Sequence, residues 1–231
     1  MATSARFLVV ALFSLGACQQ SDATAPHRDA SGKLSRGPVP AQQTAEPGTR
    51  QTALFAGGCY WGIEAVFSHV RGVTSAVSGF HGGSGASARY DRVSRGTTSH
   101  AETVRVTYDP RVVRYDQLLQ VFFAVGADPT QLNRQGPDVG PQYRSALIPL
   151  SAGQQKAATA YLSTLSASGR WKAPVVTRIE PHQKFYPAAA DHQDFAEDNP
   201  GHPYIRHWDA PKIAALKRLF PELYKPGFTR G

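Results

Sequence analysis

From residue 51 onward the hydrophobic period of this chain switches repeatedly between two and about 3.6 residues. That alternation restricts the fold more than any other feature, because a segment patterned for one period buries its apolar face only in that conformation. Thr52–Ala56 reads as a short buried strand, broken by Gly57-Gly58. Trp61–Val70 reads as a helix, with Ile63, Val66, Phe67 and Val70 on one face. Val73–Phe80 reads as a strand and residues 81–101 as a loop rich in glycine and serine. Glu102–Tyr108 alternates strictly and sets Val104, Val106 and Tyr108 toward a core. Tyr115–Val125 is a second amphipathic helix, through Leu118, Leu119, Phe122 and Phe123. Ala146–Leu150 is a strand, and Ser151 with Gln154 forms a capping-box signature ahead of a helix carrying Tyr161, Leu162 and Leu165. Val175–Glu180 is another strand, and Pro211 opens a last helix through Ile213, Leu216 and Leu219.

Two successive strand–helix–strand units predict an α+β fold, a ferredoxin-like split βαβ sandwich with a C-terminal extension. One sheet would carry helices on one face, and the apolar faces are core material. Hydrophobic residues at 41% and charged residues at 18% suit a folded domain and exclude a disordered polyelectrolyte. The net charge of +8 is scattered, without a Lys/Arg-rich block or a basic–aromatic stripe, so no nucleic-acid partner is expected.

The chain divides into three parts: 1–18, 19–50 and 51–231. Phe7–Leu15 is an apolar run of nine residues behind Arg6, too short to span a bilayer, which takes about 20 residues, and suited to a signal-peptide core. The run ends in Leu15-Gly16-Ala17-Cys18, which resembles the lipobox of bacterial lipoproteins, where the signal is cut before a cysteine that is then lipidated. An ordinary secretory signal cut near Ala17 is the alternative. Either implies export, and lipidation of Cys18 implies a periplasmic protein anchored to a membrane. Residues 19–50 are dominated by Ser, Ala, Gln, Pro, Thr and Gly, with Leu34 and Val39 as the large aliphatics, and read as a flexible linker. Residues 51–231 form the folded domain.

Cys18 and Cys59 are the only cysteines, too few for a disulfide scaffold, a Cys-rich zinc site or an iron–sulfur cluster. Cys59 follows a strand and opens a helix, where unpaired N–H groups and the positive end of the dipole favour an anion. A thiol held there is expected to have a depressed pKa and to act as a nucleophile. Gly57-Gly58 would let the backbone turn and leave open space above the sulfur, while Tyr60 and Trp61 would wall an apolar pocket. A buried, inert cysteine is the alternative.

GGCYWGIEAVF resembles the GCFWG-x-E signature of the A-type peptide methionine sulfoxide reductases. Three further segments agree in order. Tyr90 precedes Gly96-Thr97-Thr98-Ser99-His100-Ala101-Glu102, similar to GxTGHAE. Arg134-Gln135-Gly136-Pro137-Asp138-Val139-Gly140-Pro141-Gln142-Tyr143-Arg144-Ser145 resembles RQGNDxGxQYRS. Asp191-His192-Gln193, Asn199-Pro200 and Tyr204-Ile205 resemble the HQ…NP…Y block. The likeness runs from about Thr52 to Lys225.

The resemblance implies reduction of methionine S-sulfoxide, free or in oxidised proteins and peptides, as protein repair. It assigns Cys59 as nucleophile and Glu102 as a protonated acid for the sulfoxide oxygen, with Tyr90 and Tyr143 donating hydrogen bonds to that oxygen. Tyr60 and Trp61 would hold the S-methyl group, and Asp138 would contact the substrate backbone or order water. Tyr60 stands where Phe is usual, Ser99 replaces a Gly and Pro137 an Asn. Many members carry a resolving cysteine just after the tyrosine of the last block, and here Ile205 occupies that place. A one-cysteine enzyme follows, acting as a monomer with neither a bound cofactor nor a metal. Its sulfenate would be reduced by an external thiol or a thioredoxin-like partner.

Other readings remain open at this stage. His100-Ala101-Glu102 fits half of a zinc deaminase motif, but the P-C-x-x-C half is missing and the zinc would lack its thiolates. A Cys–His hydrolase or transferase would pair Cys59 with His100 or His192. A lipid-anchored binding protein would use the aromatic pocket without turnover.

Overall fold

The computed structural model describes residues 34–231. The apolar run, Cys18 and the first part of the expected linker lie outside the described residues. The domain begins with β1 (Gln51–Gly57), α1 (Tyr60–Ser68) and β2 (Val73–His81). The loop after β2 contains a 3-10 turn at Gly85–Ser87 and the short helix α2 (Tyr90–Val93). Then come β3 (Ala101–Tyr108), α3 (Tyr115–Val121) and a π-helical turn over Phe122–Gly126, so the second predicted helix does not stay α-helical to its end.

A hairpin of β4 (Arg134–Gln135) and β5 (Asp138–Val139) leads through a 3-10 turn at Pro141–Tyr143 to β6 (Ser145–Ile148) and α4 (Ala152–Ala167). After it come β7 (Arg178–Ile179), β8 (Tyr186–Pro187), α5 (Phe195–Asp198) and α6 (Ala210–Leu219). The strand expected at Val175–Glu180 shrinks to two residues, because Val176 N–H is drawn away to the Pro129 carbonyl, 2.7 Å off.

The main sheet runs β7-β6-β1-β3-β2-β8. Its four central strands are mutually antiparallel, and α1 and α3 make the two crossovers, which is the ferredoxin-like arrangement the periodicity predicts. Period two decides the faces. Ala53, Phe55, Val104, Val106 and Leu147 pack into the main core with Ile63, Phe67, Leu118 and Phe122. Leu54, Ala56, Ala146 and Ile148 turn the other way and are covered by Phe185. Burying a side chain of this size contributes about 1.5–3 kcal/mol, so a one-residue slip of β1 would exchange both sets at once.

Residues 34–50 correct the expected linker: they are docked against the domain. Thr44 is buried and its N–H donates to Asp116 Oδ1 at 2.7 Å. Glu46 accepts from the Tyr108 hydroxyl at 2.7 Å and from Gln154 Nε2 at 3.0 Å. Arg36 pairs with Glu222 at 2.8 Å, and the Pro38 carbonyl accepts from the Tyr161 hydroxyl at 3.0 Å. Polar composition concealed this, because the segment is held by hydrogen bonds to buried groups of the domain and buries few aliphatic side chains of its own.

Candidate active site

The strand–helix junction is set by close packing. A Cβ at Gly57 would stand 2.6 Å from the Phe122 ring, and one at Gly58, whose φ is +91°, would stand 2.5 Å from Gln135 Cβ. The glycines admit Phe122 and Gln135, which fix the turn. Cys59 then caps α1 and is 9% exposed.

The expectation of a depressed thiol pKa fails. Burial pushes the Cys59 thiol well above its ordinary value, and Glu102, once ionised, pushes it the same way with Asp209 and Asp138. Only the backbone N–H of Trp61 favours the thiolate. The partial charge at a helix end, about half a unit, is outweighed by lost hydration and three nearby carboxyl groups. The free site therefore holds Cys59 as a thiol.

Glu102 is the second residue of β3 and is 2% exposed. Its Oε2 accepts the Tyr60 N–H at 3.0 Å, so it lies beside the first turn of α1. Burial pushes its carboxyl up to about 8; the Tyr60 N–H opposes the rise and Asp138 adds to it. The group is protonated at neutral pH, and in that form it does not repel a thiolate at Cys59.

The aromatic residues surround these two groups. Tyr60 is 1% exposed, and its ring centroid lies 5.8 Å from Phe80 and 5.7 Å from His192. Its hydroxyl is buried without a hydrogen-bond partner. Trp61 is partly exposed and stacks on Phe195 at 3.8 Å and 11°. Tyr90, 41% exposed, opens α2 and packs on His192 at 4.2 Å. Tyr143 follows in the 3-10 turn beside buried Gln142, whose amide donates to Ser94 O at 3.0 Å and ties that turn to the end of α2. Both phenols are pushed above their ordinary pKa, first by burial and then by Glu102 and Cys59 among their charged neighbours, so they stay protonated donors.

Asp138 is delivered by the β4–β5 hairpin, whose turn is Gly136-Pro137, with Gly136 at φ +56°. Its Oδ2 accepts the Tyr204 hydroxyl. Ser99 is pinned through its backbone, its carbonyl accepting from Arg144 Nη2 at 3.1 Å while Arg144 also binds Glu180 at 2.7 Å.

The other six expected site residues of the domain lie around Cys59, while Cys18 lies outside the described residues. The sequence did not single out His192 as a pocket wall, nor Phe195, Tyr204, Asp209 and Lys212. Tyr204 sits inside the recognised last block and could have been found there. Asp209 precedes Pro211 and reads as an ordinary acid at a helix start.

His100, the first candidate base for a Cys–His pair, is buried with Nε2 3.0 Å from the Ser84 carbonyl and its ring edge-on to Phe80 and Tyr186. It serves the loop. His192 presents its ring to Tyr60, Trp61 and Tyr90, and burial lowers its pKa, so it is a neutral wall.

Residues 51–222 match the profile of the family described as peptide methionine sulfoxide reductase. A relative named peptide methionine sulfoxide reductase MsrA 2, from Mesorhizobium japonicum, is 52% identical over 182 residues, covering 79% of this chain and 93% of the relative. The fold is similar to that of methionine sulfoxide reductase A of Corynebacterium diphtheriae, with a TM-score of 0.56, 34% identity, and coverage of 73% of this chain and 84% of that one. Mxr1 from Saccharomyces cerevisiae in reduced form gives a TM-score of 0.59 and 29% identity over 70% of this chain and 92% of its own.

Proposed function

Because the chain belongs to the peptide methionine sulfoxide reductase family, we propose that Cys59 is its nucleophile and Glu102 its acid. The protein is an oxidoreductase that reduces methionine sulfoxide to methionine, a repair reaction. The observation that carries the residue assignment is a protonated, buried carboxyl group set beside a thiol at the start of α1.

A sulfoxide is polarised, with positive sulfur and negative oxygen. Bound with its sulfur against Cys59, it supplies the positive charge that the free site lacks and draws the thiol toward thiolate. Its methyl group packs on Tyr60 and Trp61, and its oxygen faces Glu102, Tyr90 and Tyr143. The thiolate attacks sulfur while Glu102 gives its proton to the oxygen. The S–O bond then breaks, the hydroxyl passes to Cys59, and the thioether leaves. The proton lost by the thiol replaces the one Glu102 gave, so in total one thiol and one sulfoxide become one sulfenic acid and one methionine, and two electrons pass from Cys59 to the substrate. The S epimer is the one accepted.

Turnover needs a thiol from outside. Cys59 is the only cysteine in residues 51–231, and Ile205 is 3% exposed among Ala65 and Ala196. An external thiol condenses with the sulfenic acid, releasing water and leaving a mixed disulfide. A second thiol then restores Cys59 as the external pair becomes a disulfide. A thioredoxin-like protein fits this role.

The apolar run Phe7–Leu15 and the sequence Leu15-Gly16-Ala17-Cys18 support export with Cys18 as a lipid attachment site. The signal is then cut before Cys18, and the enzyme works in the periplasm at a membrane.

Separated S and R methionine sulfoxides, incubated with dithiothreitol and either the wild type or Cys59→Ser, test the proposal. Wild type reduces the S epimer and Cys59→Ser neither. An inactive wild type, or an active Cys59→Ser, overturns it.

A further inference from the structure

Asp209 is fully buried, yet one of its carboxylate oxygens, Oδ2, has no hydrogen-bond partner. Its other oxygen accepts from Lys212 Nζ at 3.1 Å, and the Lys212 side chain is 15% exposed. The pair is wedged beneath the first turn of α1. A Cβ at Gly62 would collide with Asp209 Oδ1 and lie 2.8 Å from Lys212 Nζ. Gly62 is three residues beyond Cys59, so the missing side chain there is what admits a charged pair to the helix end that carries the thiol.

Burying such a pair costs hydration that replacement by apolar residues would avoid, and an unpaired carboxylate in this place would cost more. The chemistry proposed above does not use it.

We propose that Asp209 and Lys212 are a positioning pair for the nucleophile: Asp209 fixes the first turn of α1 through its seat at Gly62, and Lys212 cancels the negative charge this seat brings to the sulfur. Neither group touches the reacting atoms. The inference rests on Cys59 being the nucleophile of the reductase.

The titratable groups that face Cys59 come from several elements: Glu102 on β3, Asp138 on β5 and Asp209 at the start of α6, where Lys212 pairs with it, with the phenols of Tyr60, Tyr90, Tyr143 and Tyr204 around them. Lys212 also opposes the rise in the Asp138 pKa. A change at the pair reaches the sulfur directly; the route through Asp138 runs the other way, because losing Lys212 favours neutral Asp138, and it vanishes at alkaline pH where Asp138 is ionised in every variant. Loss of the lysine makes the surroundings more negative, and loss of the aspartate makes them more positive.

The test is the pH dependence of Cys59 alkylation by iodoacetamide in the full chain, read on the Cys59 peptide by mass spectrometry so that Cys18 does not contribute. No sulfoxide is added, so the result does not depend on turnover. A failure of sulfoxide reduction in the wild type would overturn the reductase assignment and leave this measurement standing. Lys212→Met should move the midpoint up by about one pH unit, close to a tenfold loss of rate below it. Asp209→Asn should move it down, Lys212→Arg should keep the wild-type value, and Asp209→Asn/Lys212→Met should return toward it. Structural loosening alone would move both single variants the same way, and that result overturns the proposal. So does an unchanged midpoint in Lys212→Met, which decides the matter even if Asp209→Asn fails to fold.

Discussion

The backbone N–H of Tyr60 donates to Glu102 Oε2 at 3.0 Å, and this bond joins the first turn of α1 to β3 next to the thiol. Burial nevertheless keeps Glu102 protonated up to about pH 8. In the substrate complex the positive sulfoxide sulfur favours the thiolate, so the species lost as pH rises is protonated Glu102. The expected kcat therefore falls as pH passes through about 8. Glu102→Gln keeps an acceptor for Tyr60 but has no acid, and should lower kcat by about a hundredfold or more and abolish that inflection. A wild-type profile flat from pH 6 to 10, or an unchanged inflection in the variant, would count against the assignment.

One turnover without reductant should leave one sulfenic acid per chain, on Cys59, trapped by dimedone and located by mass spectrometry. The domain has no second thiol to condense with it. An intramolecular disulfide between Cys59 and Cys18 would sink the one-thiol route.

Tyr60 is the departure from the family pattern with a clear physical consequence. Its hydroxyl is buried and unpartnered, and burying a polar group this way is unfavourable. Tyr60→Phe keeps the ring against Phe80 and His192, and should raise stability by about 1–2 kcal/mol with little change in KM. Urea unfolding and steady-state kinetics measure the two effects. A loss of stability in Tyr60→Phe would mean that the hydroxyl is satisfied in solution, for instance by water.

The alternation at Leu54, Phe55 and Ala56, and again at Val104 and Val106, made the sheet and its two faces legible, because burial on a pleated strand is a local property of sequence. The four motifs likewise brought Cys59, Glu102, Asp138 and Tyr143 onto the page. What composition concealed was set by partners far along the chain. Thr44 and Glu46 look like linker residues until Asp116, Tyr108 and Gln154 are placed beside them. The reversal of the expected Cys59 pKa has the same origin, since carboxyl groups from β3, β5 and the start of α6 meet there. A helix start is visible in sequence, whereas its desolvation is not.

The docked segment should therefore contribute to stability. Glu46→Ala removes the acceptor for the Tyr108 hydroxyl and for one bond of Gln154, and should cost about 1–3 kcal/mol. Urea unfolding measures it. A cost near zero would mean the segment is not held against the domain in solution.

Glu64 gives the last prediction, on stability against pH. It lies on α1, is 1% exposed, and accepts the N–H groups of Ser78 at 3.2 Å and Asp194 at 3.0 Å. Those bonds hold the segment that carries His192 against β2, because the neighbouring Gln193 side chain binds both the N–H and the carbonyl of Ser78 at 2.9 Å. Burial, with Asp194 adding to it, pushes Glu64 up to about 8, and its hydrogen bonds pull the other way without prevailing. An unfolded glutamate titrates near about 4.3. Between those values the folded chain holds a proton that the unfolded chain has lost, so this group's contribution to stability declines as pH rises through that window. Glu64→Gln cannot titrate, so its Tm should fall less than the wild type's between pH 5.5 and 8.5, by a few degrees for a chain of this size. Scanning calorimetry at several pH values compares the two slopes, which removes any constant cost of the amide. Parallel curves would mean that Glu64 is ionised in the folded protein throughout that range.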